Sequence, residues 1–98
     1  MLHYIALIHK DPESSYGVSF PDVPGVITAA DSLDDAIDKA SEALAFAAED
    51  WEVLTGSPFP SPRSLDGLRS DPDLRADFAD AVVAAIPFDP AVLRPAAE

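Results

Sequence analysis

Two histidines and a set of carboxylates are the side chains of this sequence that could do chemistry. His3 and His9 lie in one apolar run, and on a strand they share a face roughly 20 Å apart, at ~3.3 Å per residue, so they cannot bind one metal ion. Ser14 and Ser15 lie in a turn with no histidine close in sequence, and the chain has no cysteine. We therefore expect no nucleophile and no catalytic residue.

Residues 34–52 include seven carboxylates and one basic residue, Lys39, which gives this segment a net charge of −6. Clustered acids can hold two metal ions for phosphoryl chemistry. Their spacing, however, places them on the polar face of an amphipathic helix, where solvent separates them. We expect no metal site and no cofactor, and we interpret the face either as solvated surface or as a docking surface for a basic protein. The seven are Asp34, Asp35, Asp38, Glu42, Glu49, Asp50 and Glu52.

The whole chain is acidic as well, with 18 Asp and Glu against six Lys and Arg, a net charge of −12 and a pI near 4.1. Binding to nucleic acid rests on cations that neutralise phosphates, so direct RNA binding is not expected. A basic protein would be attracted. The first residues, MLHYIALI, resemble neither an export signal nor a membrane span, and we expect a cytoplasmic protein with no membrane contact.

The elements that must position these residues are four short strands and one long helix. Alternating or apolar runs predict strands over residues 2–8, 16–20 and 26–30, joined by short loops into an antiparallel meander, and a fourth strand over 81–86 ended by Pro87. Short helical turns are predicted over 64–68 and 73–78. The 98 residues form one domain, which we place at 1–88, followed by a tail or linker at 89–98.

The helix is the clearest element. Ser32 is the predicted N-cap with Asp35 at the third helical position, and Gly56 is the predicted stop. We expect Trp51, which belongs to the apolar stripe, and Phe46, which flanks it, to lie in the core. The stripe consists of Leu33, Ala36, Ile37, Ala40, Leu44, Ala47, Trp51 and Leu54.

The stretch YGVSFPDVPG, residues 16–25, ends an alternating strand with two prolines and a glycine. Pro21 cannot donate to a strand ladder, and Pro24-Gly25 suits the centre of a type II turn. The result is a stiff loop between two strands. Such a preorganised loop loses little entropy on binding, so it is also a candidate recognition element.

Residues 9–43, HKDPESSYGVSFPDVPGVITAADSLDDAIDKASEAL, closely resemble the N-terminal domain of HicB-type antitoxins, and the likeness extends over about residues 2–88. The resemblance implies a partial ribonuclease H-like β-β-β-α-β fold of the α+β class. It implies a partner, HicA, a small basic toxin with a double-stranded-RNA-binding-domain-like fold that cleaves mRNA. Many members continue into a DNA-binding domain, whereas this sequence stops at Glu98, either as a truncated or as a one-domain form. We expect operator binding only through such an absent domain.

Together these observations predict an antitoxin that covers the basic RNA-binding surface of its toxin. The predicted partner-binding residues are Phe20, Pro21 and Asp22 in the loop and Asp35, Asp38 and Glu42 on the helix. We expect a homodimer or tetramer, because one helix cannot cover both apolar faces of the first strand. A nuclease is disfavoured, since a ribonuclease H-like site needs a carboxylate in that strand and MLHYIALIHK has none. A regulatory or scaffold domain for another protein or small ligand is the alternative.

Overall fold

The protein is an antiparallel sheet with a long helix packed on one face. The structure, a computed structural model, describes residues 2–10 and 15–89. Its strands are β1 (Leu2–Lys10), β2 (Tyr16–Ser19), β3 (Ile27–Ala30) and β4 (Val82–Phe88), and its helices are α1 (Leu33–Thr55), α2 (Leu65–Arg69) and α3 (Arg75–Phe78), with a 3-10 turn at Pro72–Leu74. The predicted α+β meander with one long helix is confirmed. The predicted turn at 11–15, apart from Ser15, and residues 90–98 of the predicted tail lie outside the described residues.

The sheet has the strand order β3-β2-β1-β4, and every neighbouring pair is antiparallel. β1 is a central strand, with Ile8 opposite Val18 of β2 and Tyr4 opposite Ile86 of β4. All four of these side chains are buried in the core beneath α1. The central position explains why β1 is apolar on both faces.

The bounds of α1 follow from its caps. Ser32 Oγ accepts a hydrogen bond from the backbone N–H of Asp35 at 3.1 Å, as predicted. At the other end, Gly56 adopts φ 75° and its N–H donates to the carbonyl oxygen of Glu52 at 2.8 Å, which closes the helix. The residues of α1 that are buried are Ala36, Ala40, Leu44 and Ala48. Three of these four are alanines, whose small side chains let the helix lie close to the sheet. No helix in the described part of the chain is long and apolar enough to span a membrane.

Several predicted strand boundaries were wrong. β1 ends at Lys10 and not at Ile8, β2 ends at Ser19 and not at Phe20, and β4 begins at Val82 and not at Ala81. β3 begins at Ile27 and not at Val26, because the Val26 N–H is used in the preceding turn, where it donates to the carbonyl oxygen of Val23. β4 runs through Pro87, which lies opposite His3, and does not stop before it. β4 is an edge strand, and an edge strand tolerates a residue that lacks an N–H.

The second face of the sheet is partly covered by the chain itself. Leu7 points to this face and is 1% exposed. Leu7 and Leu74 line one groove, and His9 Nε2 donates to the carbonyl oxygen of Asp77 at 2.9 Å, so the short helices of residues 64–78 cross part of the face. Ile27, on the same face, remains 73% exposed. The area left for a second copy is therefore smaller than one whole face of the sheet.

Candidate partner-binding site

The loop of residues 20–26, which we call the proline loop, is built from two successive turns. The N–H of Val23 donates to the carbonyl oxygen of Phe20 at 3.1 Å, and the N–H of Val26 donates to that of Val23 at 3.2 Å. Gly25 has φ 92°, a value that glycine adopts without strain, which agrees with the predicted turn centred on Pro24-Gly25. Phe20 and Val23 are buried in the core, so the loop is anchored from beneath.

Asp22, the one carboxylate of the proline loop, is held by an arginine of the same chain. Its Oδ2 accepts from the backbone N–H of Arg63 at 2.7 Å, and its Oδ1 accepts from Arg63 Nε at 2.6 Å. Arg63 Nη1 also donates to Asp71 Oδ2 at 3.2 Å. These hydrogen bonds, first to Asp22 and then to Asp71, raise the already high pKa of the Arg63 guanidinium. The Asp22 side chain is only 6% exposed, so its charge is directed inward.

The segment of residues 56–63 is fixed against the sheet by an aromatic cluster of Tyr4, Trp51, Phe59 and Phe88. The Phe59 ring lies 5.6 Å from that of Tyr4, 5.5 Å from that of Trp51 and 5.3 Å from that of Phe88, measured between centroids. Tyr4 Oη donates to the carbonyl oxygen of Pro60. Burial, and then the negative charge of Asp22, raise the pKa of the Tyr4 hydroxyl. With Arg63 at its end, the segment holds the proline loop in one position.

The six predicted partner-binding residues fall into two groups. In the proline loop, Phe20 is 3% exposed, so its role there is to support the loop and not to contact a partner directly. Asp22 is paired with Arg63, and Pro21 is half-buried. The loop exposes Pro24 and Gly25 to solvent. Contact between this loop and a partner stays a prediction, and any such contact must be made through backbone and proline rings.

A groove of about 320 Å3 runs beside the proline loop. Its walls come from the loop, from β1 and from the short-helix segment, and they are mainly apolar. The lining residues are Leu7, Ser19, Phe20, Pro21, Pro24, Gly25, Val26, Ile27, Leu74 and Asp77.

The second group of predicted residues lies on the outer surface of α1. Asp35, Asp38 and Glu42 are exposed, as are the other four carboxylates of the helix. No ion pair is formed by these seven within residues 2–10 and 15–89, so their charges face solvent. In the same part of the chain, no three His, Asp or Glu side chains are grouped so that they could hold a metal ion. We call this surface, with its seven carboxylates, the acidic face.

The sequence prediction missed two apolar side chains on the acidic face. Phe46, which we expected in the core, is 75% exposed, and Val53 is 85% exposed. Leu54, the last residue of the predicted stripe, is exposed as well. The signal was present in the sequence: the four buried positions of α1, spaced by four, define the inner line, and Phe46 follows Leu44 by two residues, or about 200° of helical rotation. Phe46 and Glu42 line a shallow depression of about 330 Å3 with Thr28, Lys39 and Ala43.

The acidic helix and the anchored proline loop agree with a sequence match to known proteins. The family of HicB-like antitoxins of bacterial toxin-antitoxin systems matches residues 4–98. This chain belongs to that family. A comparison with curated proteins finds no match.

Solved HicB structures are similar to this chain in fold and sequence. The antitoxin HicB of Burkholderia pseudomallei is 30% identical, with a TM-score of 0.75, over 96% of this chain and 68% of its own. Its N-terminal domain alone is 30% identical, with a TM-score of 0.70, over 90% of this chain and 99% of its own. A chain of the HicA3 and HicB3 toxin-antitoxin complex is 28% identical, with a TM-score of 0.69, over 91% of this chain and 100% of its own. This HicB-like chain therefore has an antitoxin domain fold.

Proposed function

We propose that this HicB-like chain neutralises a small basic HicA-like toxin that cleaves mRNA, by covering the surface with which the toxin binds RNA. The observation that carries the proposal is the acidic face, seven exposed carboxylates on one helix of a protein whose family is that of antitoxins. A similar chain occurs in a HicA3 and HicB3 complex, which supports a HicA-like partner. The proposed contacts are Asp35, Asp38 and Glu42, together with the exposed rim of the proline loop.

The electrostatic reason is competition for the same cations. A protein that binds RNA presents Lys and Arg to phosphates, and the carboxylates of α1 offer these cations an alternative partner. Opposite net charges also steer the two proteins together, so the association rate should fall as salt rises above physiological strength, where the Debye length is about 8 Å. Apolar contacts, which salt does not screen, should then set the dissociation rate.

The chain acts, in this proposal, by binding and without catalysis. A ribonuclease H-like active site requires a carboxylate in its first strand, and β1, with the sequence LHYIALIHK, has none. A regulatory or scaffold domain that binds another protein or a small ligand is the second candidate, and the groove beside the proline loop is the observation that favours it.

The test is rescue of bacterial growth and binding in vitro. A HicA-like toxin, sought in the gene next to that of this chain, is expressed with and without the antitoxin. Association and dissociation rates are measured on the purified pair at several salt concentrations. Replacing Asp35, Asp38 and Glu42 together with Lys should lower the association rate at least about tenfold and weaken its dependence on salt. These residues are exposed and separate from the core, so the circular dichroism of the variant should match that of the parent, although the loss of the Asp35 carboxylate from the first turn of α1 costs up to about 1 kcal/mol of stability.

A matched variant controls for charge alone. Asp66, Asp73 and Asp80 are also exposed carboxylates, and all three lie outside α1. Their triple replacement with Lys changes the net charge by the same amount and should slow association less. If the unmodified chain neither restores growth nor binds the toxin, the antitoxin proposal is wrong, and the second candidate takes its place.

We further propose that the chain forms a dimer or tetramer through the sheet face that carries Ile27. The strand residues of this face that the structure describes include no Asp, Glu, Lys or Arg: they are His3, Ile5, Leu7, His9, Gly17, Ser19, Ile27, Ala29, Val83, Ala85 and Pro87. In the short-helix segment that crosses the face, Asp77 lines the groove with Leu7 and Ile27. Two copies of a chain with a net charge of −12 repel each other least on the surface with the fewest carboxylates.

A further inference from the structure

We propose that Phe46 is the apolar anchor of the toxin-binding surface, assisted by Val53, an inference that rests on the proposed antitoxin function. Phe46 is 75% exposed in the middle of the acidic face. Val53 lies seven positions after Phe46. This spacing is close to two full helical turns, so both side chains lie on the same side of α1. They form an apolar stripe within a charged surface.

The fold does not need an aromatic ring at position 46. The side chains that pack α1 on the sheet are Ala36, Ala40, Leu44 and Ala48, on the opposite side of the helix. Within residues 2–10 and 15–89, Phe46 belongs neither to the buried cluster nor to the ring contacts of the aromatic cluster. A single exposed apolar residue is common on protein surfaces. Two large ones at helical spacing, with three carboxylates within one turn of Phe46 and Lys39 in the same depression, match the composition of an interface core with a polar rim.

The surrounding charges identify the kind of partner. Glu42 lies one turn before Phe46, Glu49 and Asp50 lie one turn after it, and all three are exposed. A second copy of this chain would bring the same carboxylates into contact, and RNA or an anionic lipid surface would be repelled as well. The occupant that remains is a basic protein with a recess that accepts a phenyl ring, rimmed by Lys or Arg that pair with Glu42, Glu49 and Asp50.

Burial of an aromatic ring at the centre of an interface acts mainly on dissociation. Large effects on affinity come from a few aromatic or arginine side chains that are excluded from water in the complex, while the charged rim contributes chiefly to the association rate. Replacing Phe46 should therefore change mainly the dissociation rate, and replacing Asp35, Asp38 and Glu42 should change mainly the association rate. Loss of the ring should raise the dissociation rate and leave the salt dependence of association unchanged.

The experiment compares Phe46→Ala with Val82→Ala, using the full chain and the purified cognate toxin. Val82 is an exposed apolar residue at the start of the edge strand β4, outside the acidic face, the proline loop and the proposed oligomer face. We expect Phe46→Ala to raise Kd about 10- to 100-fold through the dissociation rate. Val82→Ala should change Kd less than about twofold. The heat capacity change of binding should become less negative only for Phe46→Ala, because less apolar surface is buried.

Each outcome has one meaning. If the unmodified chain does not bind the toxin, the proposed function and the anchor both fail. If it binds and Phe46→Ala binds within about twofold of it, the anchor is overturned and the antitoxin function stands. If Val82→Ala weakens binding instead, the toxin docks at the β4 edge of the sheet and the anchor is overturned. Phe46→Gln is a second variant, in which the ring is replaced by a polar side chain that favours a helix. It should weaken binding to a similar extent as Phe46→Ala.

Discussion

Removal of the Phe59 ring should detach the segment of residues 56–63 and destabilise the whole domain. Phe59 contacts the other three rings of the aromatic cluster at centroid distances of 5.3 to 5.6 Å, and Trp51 lies edge-on to it. Replacing a fully buried Phe with Ala costs ~3–5 kcal/mol. Phe59 is half-buried, so its transfer contribution is smaller, but each ring pair adds ~0.5–1.5 kcal/mol. We expect Phe59→Ala to lower the free energy of unfolding by roughly 2–3 kcal/mol.

The assay can use a fluorophore that the chain already contains. Trp51 is the single tryptophan, and its ring centroid lies 5.5 Å from that of Phe59. Urea and thermal unfolding, followed by Trp51 emission and by circular dichroism, should show a fall in Tm of ~10–20 °C for a domain of this size. In the folded state, the emission of Trp51 should shift to longer wavelength because its ring gains contact with water.

Phe46→Ala is the matched control, because it makes the same substitution at an exposed position on the same chain. It should change the free energy of unfolding by less than ~0.5 kcal/mol. If Phe59→Ala costs no more than this control and leaves the Trp51 emission unchanged, the reasoning that the aromatic cluster anchors segment 56–63 is refuted.

Three further predictions test other parts of the molecule. The unfolding free energy should fall as pH rises above ~10, because the pKa of Tyr4 is raised in the folded state and the unfolded chain therefore loses this proton first. Tyr4→Phe should cost about 1 kcal/mol for the lost hydrogen bond to Pro60. The same variant should show a smaller fall in unfolding free energy above this pH, measured by unfolding at several pH values. Light scattering at high micromolar concentration should detect an oligomer, and Ile27→Asp should shift it to monomer; a monomeric parent chain contradicts the proposed sheet interface. Incubation of the purified chain with RNA and Mg2+ or Mn2+ should give no cleavage; activity that survives repurification and is lost on an Asp substitution refutes the non-catalytic proposal.

Local signals in the sequence were sufficient for the helix and for the proline loop. The capping of α1 by Ser32 involves Asp35 three residues away, and its end at Gly56 needs only a residue that tolerates positive φ. The turn at Pro24-Gly25 is equally local. Each of these features is determined by a few consecutive residues, so a sequence pattern is enough to predict it.

The errors arose where the answer depends on distant residues. Whether Pro87 ends a strand depends on its position at the edge of the sheet, which is set by pairing with β1 more than 80 residues away in the chain. The helical pattern already separates Phe46 from Leu44 by about 200°, but α1 has apolar side chains on both of these sides, and only packing on the sheet shows that the side of Leu44 is buried. The covering of Leu7 by the short-helix segment is likewise a tertiary contact, without a local signature.

The proline loop shows why charge in a sequence cannot be assigned to an interface by count alone. Asp22 lies within a loop that the sequence marks as rigid and exposed, and its carboxylate has the same formal charge as those of α1. Arg63, 41 positions further along the chain, takes both of its oxygens, so this charge serves to hold two loops together. The carboxylates of α1 have no such partner within the described residues, and desolvating them requires a cation from outside this part of the chain. The position of one arginine therefore distinguishes the internal carboxylate of Asp22 from the external carboxylates of α1, and this is why we propose α1 as the source of the electrostatic attraction to a toxin.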